Sequence, residues 1–233
     1  MNYAIVFGGG VGSRMQSALP KQFIEVNGTP IIIHTLKHFQ NHSDVDKIVV
    51  VCLDSYLNKM NELICRFGIS KCIKVVRGGR TGQESIYFGL KALENIAKDD
   101  DIVILHDAVR PIIDAELISE NILCARTNGN AISCSLATET ICVANKETGN
   151  IKEIIPRDSC ILGRAPQTFK YKVIMTCHNR ANSDGYTTAI DSASMLDHYG
   201  YPLSYVRCSH FNIKITTPND LYLFESYLKN FQR

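Results

Sequence analysis

The chain has 233 residues, 25 of them basic and 23 acidic, for a formal net charge of +2. That balance gives no global field to hold a nucleic-acid backbone or an anionic bilayer. A composition that is 45% hydrophobic and 21% charged excludes disordered and fibrous classes, and the length suits one α/β domain with an appendage.

Tyr3–Phe7 is a short apolar run ending at Gly8-Gly9-Gly10, the pattern of a buried parallel strand entering a turn. Thr29–Phe39 places Ile33, Leu36 and Phe39 near helical spacing, with Pro30 suited to a first turn. Lys47–Leu53 is a β-branched strand, and Tyr56–Phe67 carries Leu57, Met60, Leu63, Ile64 and Phe67 on one helical face. Lys74–Arg77 is a further strand broken by Gly78-Gly79. Glu84–Ile96 is the next helix, and Ile102–Leu105 returns to strand. The alternation predicts a largely parallel sheet with helices on both faces, and ligands in such sheets bind beyond the carboxyl ends of the strands. Further on, Ala131–Ala144 alternates weakly, Asn145–Asn150 is a polar turn and Ile151–Ile155 returns, which predicts a hairpin. An isolated two-stranded ribbon is marginal in water, so a partner subunit is an obvious surface for it. Ser192–His198 and Pro218–Lys229 read as helices.

The nine cysteines have no C-x-x-C pair and no cluster able to share one zinc tetrahedron. They read as reduced packing thiols. Tyr3–Phe7 is too short and lacks the basic leader of an export signal, and no segment approaches the roughly 20 apolar residues of a membrane span. The expectation is a soluble, cytoplasmic protein.

Chemistry concentrates in three loops. Gly8-Gly9-Gly10-Val11-Gly12-Ser13-Arg14, with Lys21 behind it, offers backbone amides and two cations to a polyphosphate. Neither the dinucleotide fingerprint nor the Walker pattern fits its spacing, which disfavours an NAD-linked oxidoreductase. Gly78-Gly79 through Ser85 enters a helix N-terminus, where amides are unpaired, although a ligand-free capping loop has the same sequence. His106-Asp107-Ala108-Val109-Arg110-Pro111 follows a buried strand. An Asp there suits a divalent cation or a ribose hydroxyl, whereas His106 reads as structural.

Taken in order, these segments together with Pro20-Lys21-Gln22, Pro166-Gln167 and Asn212-Ile213-Lys214-Ile215-Thr216 resemble the polyol-phosphate cytidylyltransferases over almost the whole chain. Two branches are close, acting on ribitol 5-phosphate and on 2-C-methyl-D-erythritol 4-phosphate. The resemblance implies a Rossmann-like, mostly parallel sheet flanked by helices, one nucleotidyltransferase domain over residues 1–233, and a β-arm near 137–160. It implies transfer of CMP from CTP, with Mg²⁺, in a homodimer that exchanges its arms. Arg14, Lys21 and Lys214 would be catalytic, holding the triphosphate and the pentacoordinate α-phosphate. Gly8, Gly9, Gly10, Gly12, Gly79 and Ser85 would surround the nucleotide, and Asp107 would meet its ribose and the metal. Thr140, Arg157 and Arg110 would bind the acceptor.

Two departures stand out. The methylerythritol branch carries an acidic residue after the paired glycines, where this chain has Arg80-Thr81-Gly82. That departure keeps open a nucleotide other than CTP. Ala165-Pro166-Gln167-Thr168-Phe169 and Lys214-Ile215-Thr216-Thr217 look more like the ribitol branch. A non-catalytic nucleotide-binding protein is the rival reading, and Arg14, Lys21 and Lys214 together argue against it.

Overall fold

A computed structural model of the chain describes residues 1–8 and 19–231. The first half runs β1 (Asn2–Gly8), β2 (Glu25–Val26), β3 (Thr29–Pro30), α1 (Ile31–Asn41), β4 (Lys47–Cys52), α2 (Leu57–Arg66), β5 (Cys72–Arg77), α3 (Gly82–Lys91) and β6 (Ile102–Asp107). The second half runs α4 (Ala115–Asn128), β7 (Asn130–Leu136), β8 (Ile141–Ala144), β9 (Ile151–Ile155), β10 (Ile161–Lys170), α5 (Tyr171–Asp184), α6 (Ser192–His198), β11 (Tyr205–Arg207) and α7 (Pro218–Phe231).

Seven strands form the main sheet in the order β11-β7-β10-β6-β1-β4-β5. β1 pairs in parallel with β4 and β6, and β4 with β5. β10 runs antiparallel to both β6 and β7. The mostly parallel, helix-flanked sheet expected from the alternation is therefore present.

Successive side chains of a strand point to opposite faces, so a doubly covered sheet needs apolar residues at every position. On β1, Ala4 and Val6 join the core under α1, α2 and α4, while Tyr3 and Ile5 join the core under α3, α5 and α6. β6 repeats the pattern, with Ile102 and Ile104 on one side and Val103 and Leu105 on the other. Gly89 lets α3 lie close to the sheet, because a Cβ there would sit 2.6 Å from Ile5 Cγ2. A third cluster of Ile31, Val109, Ile112, Ile215, Phe224 and Leu228 fixes α7 beside the loop after β6.

Three differences from the sequence reading change the architecture rather than shift an end by a residue or two. Thr29 and Pro30 are not helical: they pair with Val26 and Glu25, and Pro30 has an extended ψ of 143° as the N-cap of α1. α3 starts at Gly82 and stops at Lys91 rather than running from Glu84 to Ile96. Beyond it the chain tightens into i−3 turns, with Leu93 N bonding Leu90 O and Ile96 N bonding Leu93 O. The Ala131–Ala144 stretch divides: β7 belongs to the main sheet, and only β8 pairs with β9 around the Asn145–Asn150 turn.

The hairpin leaves the sheet between Leu136 and Ile161, which pair with each other. Its Ile151 and Ile154 side chains are exposed. No helix among the described residues is long and apolar enough to cross a membrane.

Candidate active site

The carboxyl ends of β1 and β6 open onto a cleft of about 300 Å³ walled by Phe7, Leu105, Asp107, Arg164, Gln167 and Lys214, among others. Gly8 ends β1 where Ala108 passes close by: a Cβ at Gly8 would lie 2.8 Å from the Ala108 Cβ. The close approach is sealed by Ala108 N donating to Phe7 O at 2.9 Å, and Gln22 Nε2 donates to Gly8 O at 2.8 Å.

Asp107, the last residue of β6, is the electrostatic centre. Lys214 Nζ lies 2.6 Å from its Oδ1, and Arg110 Nε lies 2.9 Å from its Oδ2. Burial pushes this carboxyl up, but the Lys214 and Arg110 charges and their hydrogen bonds prevail and hold it at about 2. Arg110 also donates through Nη1 to Asn212 O, and Arg164 Nη1 donates to the same oxygen, both at 2.9 Å. Arg164 is anchored by Nε to Ser135 Oγ at 2.8 Å, and burial beside Arg110 lowers its pKa.

The Asn212–Ile215 strap thus carries Lys214 across the cleft mouth. It is pinned by Asn212 Nδ2 to Ala165 O at 2.6 Å and by Ile215 N to Val109 O at 2.9 Å. Lys21 reaches it too, donating from Nζ to Ile215 O at 3.0 Å. Just beyond, the Asp220 carboxylate accepts from the amides and hydroxyls of Thr216 and Thr217 at 2.8–3.0 Å, which caps α7 and fixes the strap's far end.

The glycine pair before α3 is also ordered. Gly79 N donates to Ser85 Oγ at 3.0 Å, and Ser85 Oγ donates to Thr81 O at 2.8 Å. A side chain at Gly79 would overlap that of Glu84, whose Oε2 accepts from Arg80 N at 2.6 Å. Arg80 itself is exposed.

Fold and sequence therefore bring together Gly8, Lys21, Asp107, Arg110 and Lys214, with Gly79 and Ser85 after β5, two strands over from β1. Gly9, Gly10, Gly12 and Arg14 lie outside the described residues. Thr140 and Arg157 are exposed at the root of the arm, where Arg157 Nη1 donates to Thr138 O at 3.3 Å; neither lines the cleft of its own chain. His106 is fully buried, bonded through Nε2 to Arg110 O at 3.0 Å, and desolvation lowers it to about 4. It props the turn from within, as its sequence reading expected.

Sequence reasoning missed Arg164, which only β10 delivers to the cleft, and a polar wall deeper inside. Gln167 Nε2 donates to Asp191 Oδ2 at 2.7 Å, and Asp191 caps α6 by accepting from Ser194 N at 2.8 Å. Beside them His178 and Ser192, almost wholly buried, and the Gln83 amide oxygen line the cleft with no hydrogen-bond partner among the described residues. Such polar atoms in a cleft wall suit a hydroxylated ligand better than a hydrocarbon one.

As for metals, among the described residues no three His, Cys, Asp or Glu side chains are arranged to hold an ion. One carboxylate at the cleft mouth still fits Mg²⁺, which is often held by one or two carboxylates together with substrate phosphates.

Residues 3–230 match the family model for 2-C-methyl-D-erythritol 4-phosphate cytidylyltransferase, IspD. A ribitol-5-phosphate cytidylyltransferase of Streptococcus agalactiae is 43% identical over 97% of this chain and 95% of that protein. A 2-C-methyl-D-erythritol 4-phosphate cytidylyltransferase of Clostridium botulinum is 34% identical over 98% of this chain and 97% of its own. Among solved structures, the Francisella tularensis 2-C-methyl-D-erythritol 4-phosphate cytidylyltransferase superposes with a TM-score of 0.81 at 28% identity, covering 97% of this chain and 98% of that one. The Anaerococcus prevotii 4-diphosphocytidyl-2C-methyl-D-erythritol synthase gives 0.85 at 24% identity, covering 99% and 96%. With the matched segments running through both the cleft and the arm, the chain belongs to the IspD family of cytidylyltransferases.

Proposed function

We propose that the protein transfers CMP from CTP to D-ribitol 5-phosphate, giving CDP-ribitol and pyrophosphate. The observation that carries this reading is the pair of cations, Arg110 and Lys214, on one carboxylate at the end of β6, with Lys21 and Arg164 bonded to the strap that carries Lys214. An oxygen of the acceptor phosphate forms a bond to the α-phosphorus as the bond from that phosphorus to the bridging oxygen of pyrophosphate breaks. No proton transfer is required of the protein, so its work is positioning and charge stabilisation.

Lys214 neutralises charge that builds on the α-phosphate, and Asp107 orients that ammonium while keeping Arg110 beside it. Arg14 and Lys21 hold the leaving pyrophosphate end. The amides of Gly8, Gly9, Gly10 and Gly12 line the triphosphate and ribose, and Gly79 and Ser85 meet the edge of the pyrimidine. Asp107 would hold a Mg²⁺ together with substrate phosphates, and the ion would supply further charge neutralisation. Thr140 and Arg157 bind the acceptor phosphate from the arm of a second copy. Their exposed position outside their own cleft supports that exchange. Nine free cysteines suit a cytoplasmic enzyme.

The acceptor is favoured as ribitol 5-phosphate because relatives so named reach 43% identity against 34% for the methylerythritol-phosphate enzyme cited above. The polar wall of Gln83, His178 and Ser192 suits a polyhydroxylated acceptor of either branch. The test is a paired steady-state assay of pyrophosphate release with CTP and each acceptor. A clearly higher kcat/KM for ribitol 5-phosphate is expected. Preference for methylerythritol phosphate would reassign the acceptor, and no release with either would overturn the transfer itself.

A further inference from the structure

The turn that bears Asp107 and Arg110 is gripped from the other face of the sheet by α1. Thr35 Oγ1 donates to Ala108 O at 2.9 Å, His38 Nε2 lies 2.9 Å from Pro111 O, and His42 Nε2 lies 2.9 Å from Ala115 O. Positions 35, 38 and 42 follow i, i+3, i+7, with Thr35 and His38 on one face of α1 and His42 its extended C-cap residue. The carbonyls at 108, 111 and 115 repeat the same spacing, so helix and loop run side by side in register. A carbonyl oxygen only accepts, which requires each Nε2 to carry the proton and donate.

Between these attachments the loop is tied to the Asn212–Ile215 strap. Asp107 takes Lys214, the Val109 carbonyl takes the Ile215 amide, and Arg110 reaches the Asn212 carbonyl. Attachments at 107, 109 and 110 thus face the strap, and those at 108, 111 and 115 face α1. Three histidines, at 34 and 38 on α1 and at 42 as its C-cap, invite a metal reading. Each Nε2 is already engaged by a carbonyl, however, with His34 bonded to Val26 O at 3.0 Å.

We propose that His38 is a positioning residue for the transfer: its bond to Pro111 O, backed by those of Thr35 and His42, sets the Asp107–Arg110 turn on which Lys214 docks. His38 touches neither substrate nor reacting atoms and acts through the loop backbone. The inference rests on the transfer reading above. Pro111 and the two isoleucines after it are buried, so the loop has no solvent to replace a lost donor and shifts instead. A displacement of order 1 Å in a site that works by alignment costs about 10- to 100-fold in rate.

The experiment compares H38A, H38Q and H42A with the wild type in kcat, KM for CTP and for ribitol 5-phosphate, thermal midpoint, and amide hydrogen exchange over residues 107–113. H38A is expected to lose at least about tenfold in kcat with KM for CTP little changed, and to exchange faster in that segment. H38Q, whose amide can still donate to Pro111 O, recovers most of the rate. H42A, whose bond lies farther along at Ala115, loses far less kcat for a similar fall in thermal midpoint. An H38A enzyme of normal kcat, no rescue by H38Q, or losses in H38A and H42A that track the midpoint alike would each overturn the proposal. Should the wild type turn over no acceptor, the transfer reading fails by itself, and the exchange comparison still decides whether His38 holds the loop.

Discussion

Replacing Asp107 by Asn removes the carboxylate that Lys214 and Arg110 share. The folded protein holds this group at about 2 against an ordinary value of 3.8. At roughly 1.36 kcal/mol per pH unit, that difference makes ionised Asp107 worth about 2 kcal/mol of folding stability. Solvent at the Lys214 side chain, which is 43% exposed, makes this a ceiling. A depressed carboxylate contributes fully above the unfolded value and loses its contribution as pH falls toward the folded one. The window is therefore pH 4 to 2, and about 1 kcal/mol is gone by pH 3. Urea unfolding followed by circular dichroism at pH 7, 5, 4 and 3 measures it, and the difference between wild type and D107N cancels the other acids. That difference should be flat from pH 7 to 5 and narrow by about 1 kcal/mol at pH 3. A difference that stays constant to pH 3, or widens, refutes the charge assignment.

His178 is buried with both ring nitrogens unpartnered among the described residues, and desolvation lowers it to about 4 from 6.5. The unfolded chain takes up its proton first, so stability should fall between pH 6.5 and 4, by about 3 kcal/mol for this group. H178L should flatten that slope in urea titrations, and an unchanged slope would refute the reading. G89A puts a methyl 2.6 Å from Ile5 Cγ2 and 3.0 Å from Val51 Cγ2. Overpacking should outweigh the gain in helix propensity and cost about 1–2 kcal/mol, seen as a lower thermal midpoint. R157A alters an exposed residue at the arm root, so the midpoint should hold while KM for the acceptor phosphate rises about tenfold or more. Loss of stability without a KM change would place Arg157 in the fold rather than the site.

The parallel half of the sheet was readable because strands covered on both faces are apolar at successive positions, as residues 48–52 of β4 are. The strand ends and their glycines then pointed to Asp107 and Lys21. β10 left no such signal: Gly163 and Pro166 interrupt Ile161–Lys170, and both residues argue against a strand interior. With β10 unread, Arg164 could not be placed, nor could the Gln167–Asp191 contact that shapes the inner wall. The grip of α1 on the loop was equally hidden, because Thr35 and His38 look like ordinary members of an amphipathic helix, and His42 like a residue just past it, until their carbonyl partners are known.

The arm departs and returns at two residues that face each other across the sheet, Leu136 and Ile161, with Ala137 N bonded to Cys160 O just above them. To the sheet, everything between is a single turn, whatever its length. Selection can therefore lengthen, recharge or exchange this excursion without renegotiating the core that holds the cation cluster. On the proposed exchange of arms, the contacts to the acceptor phosphate and the cation cluster are free to evolve at separate rates. A chimaera carrying a relative's residues 137–160 on this sheet should fold as readily as either parent.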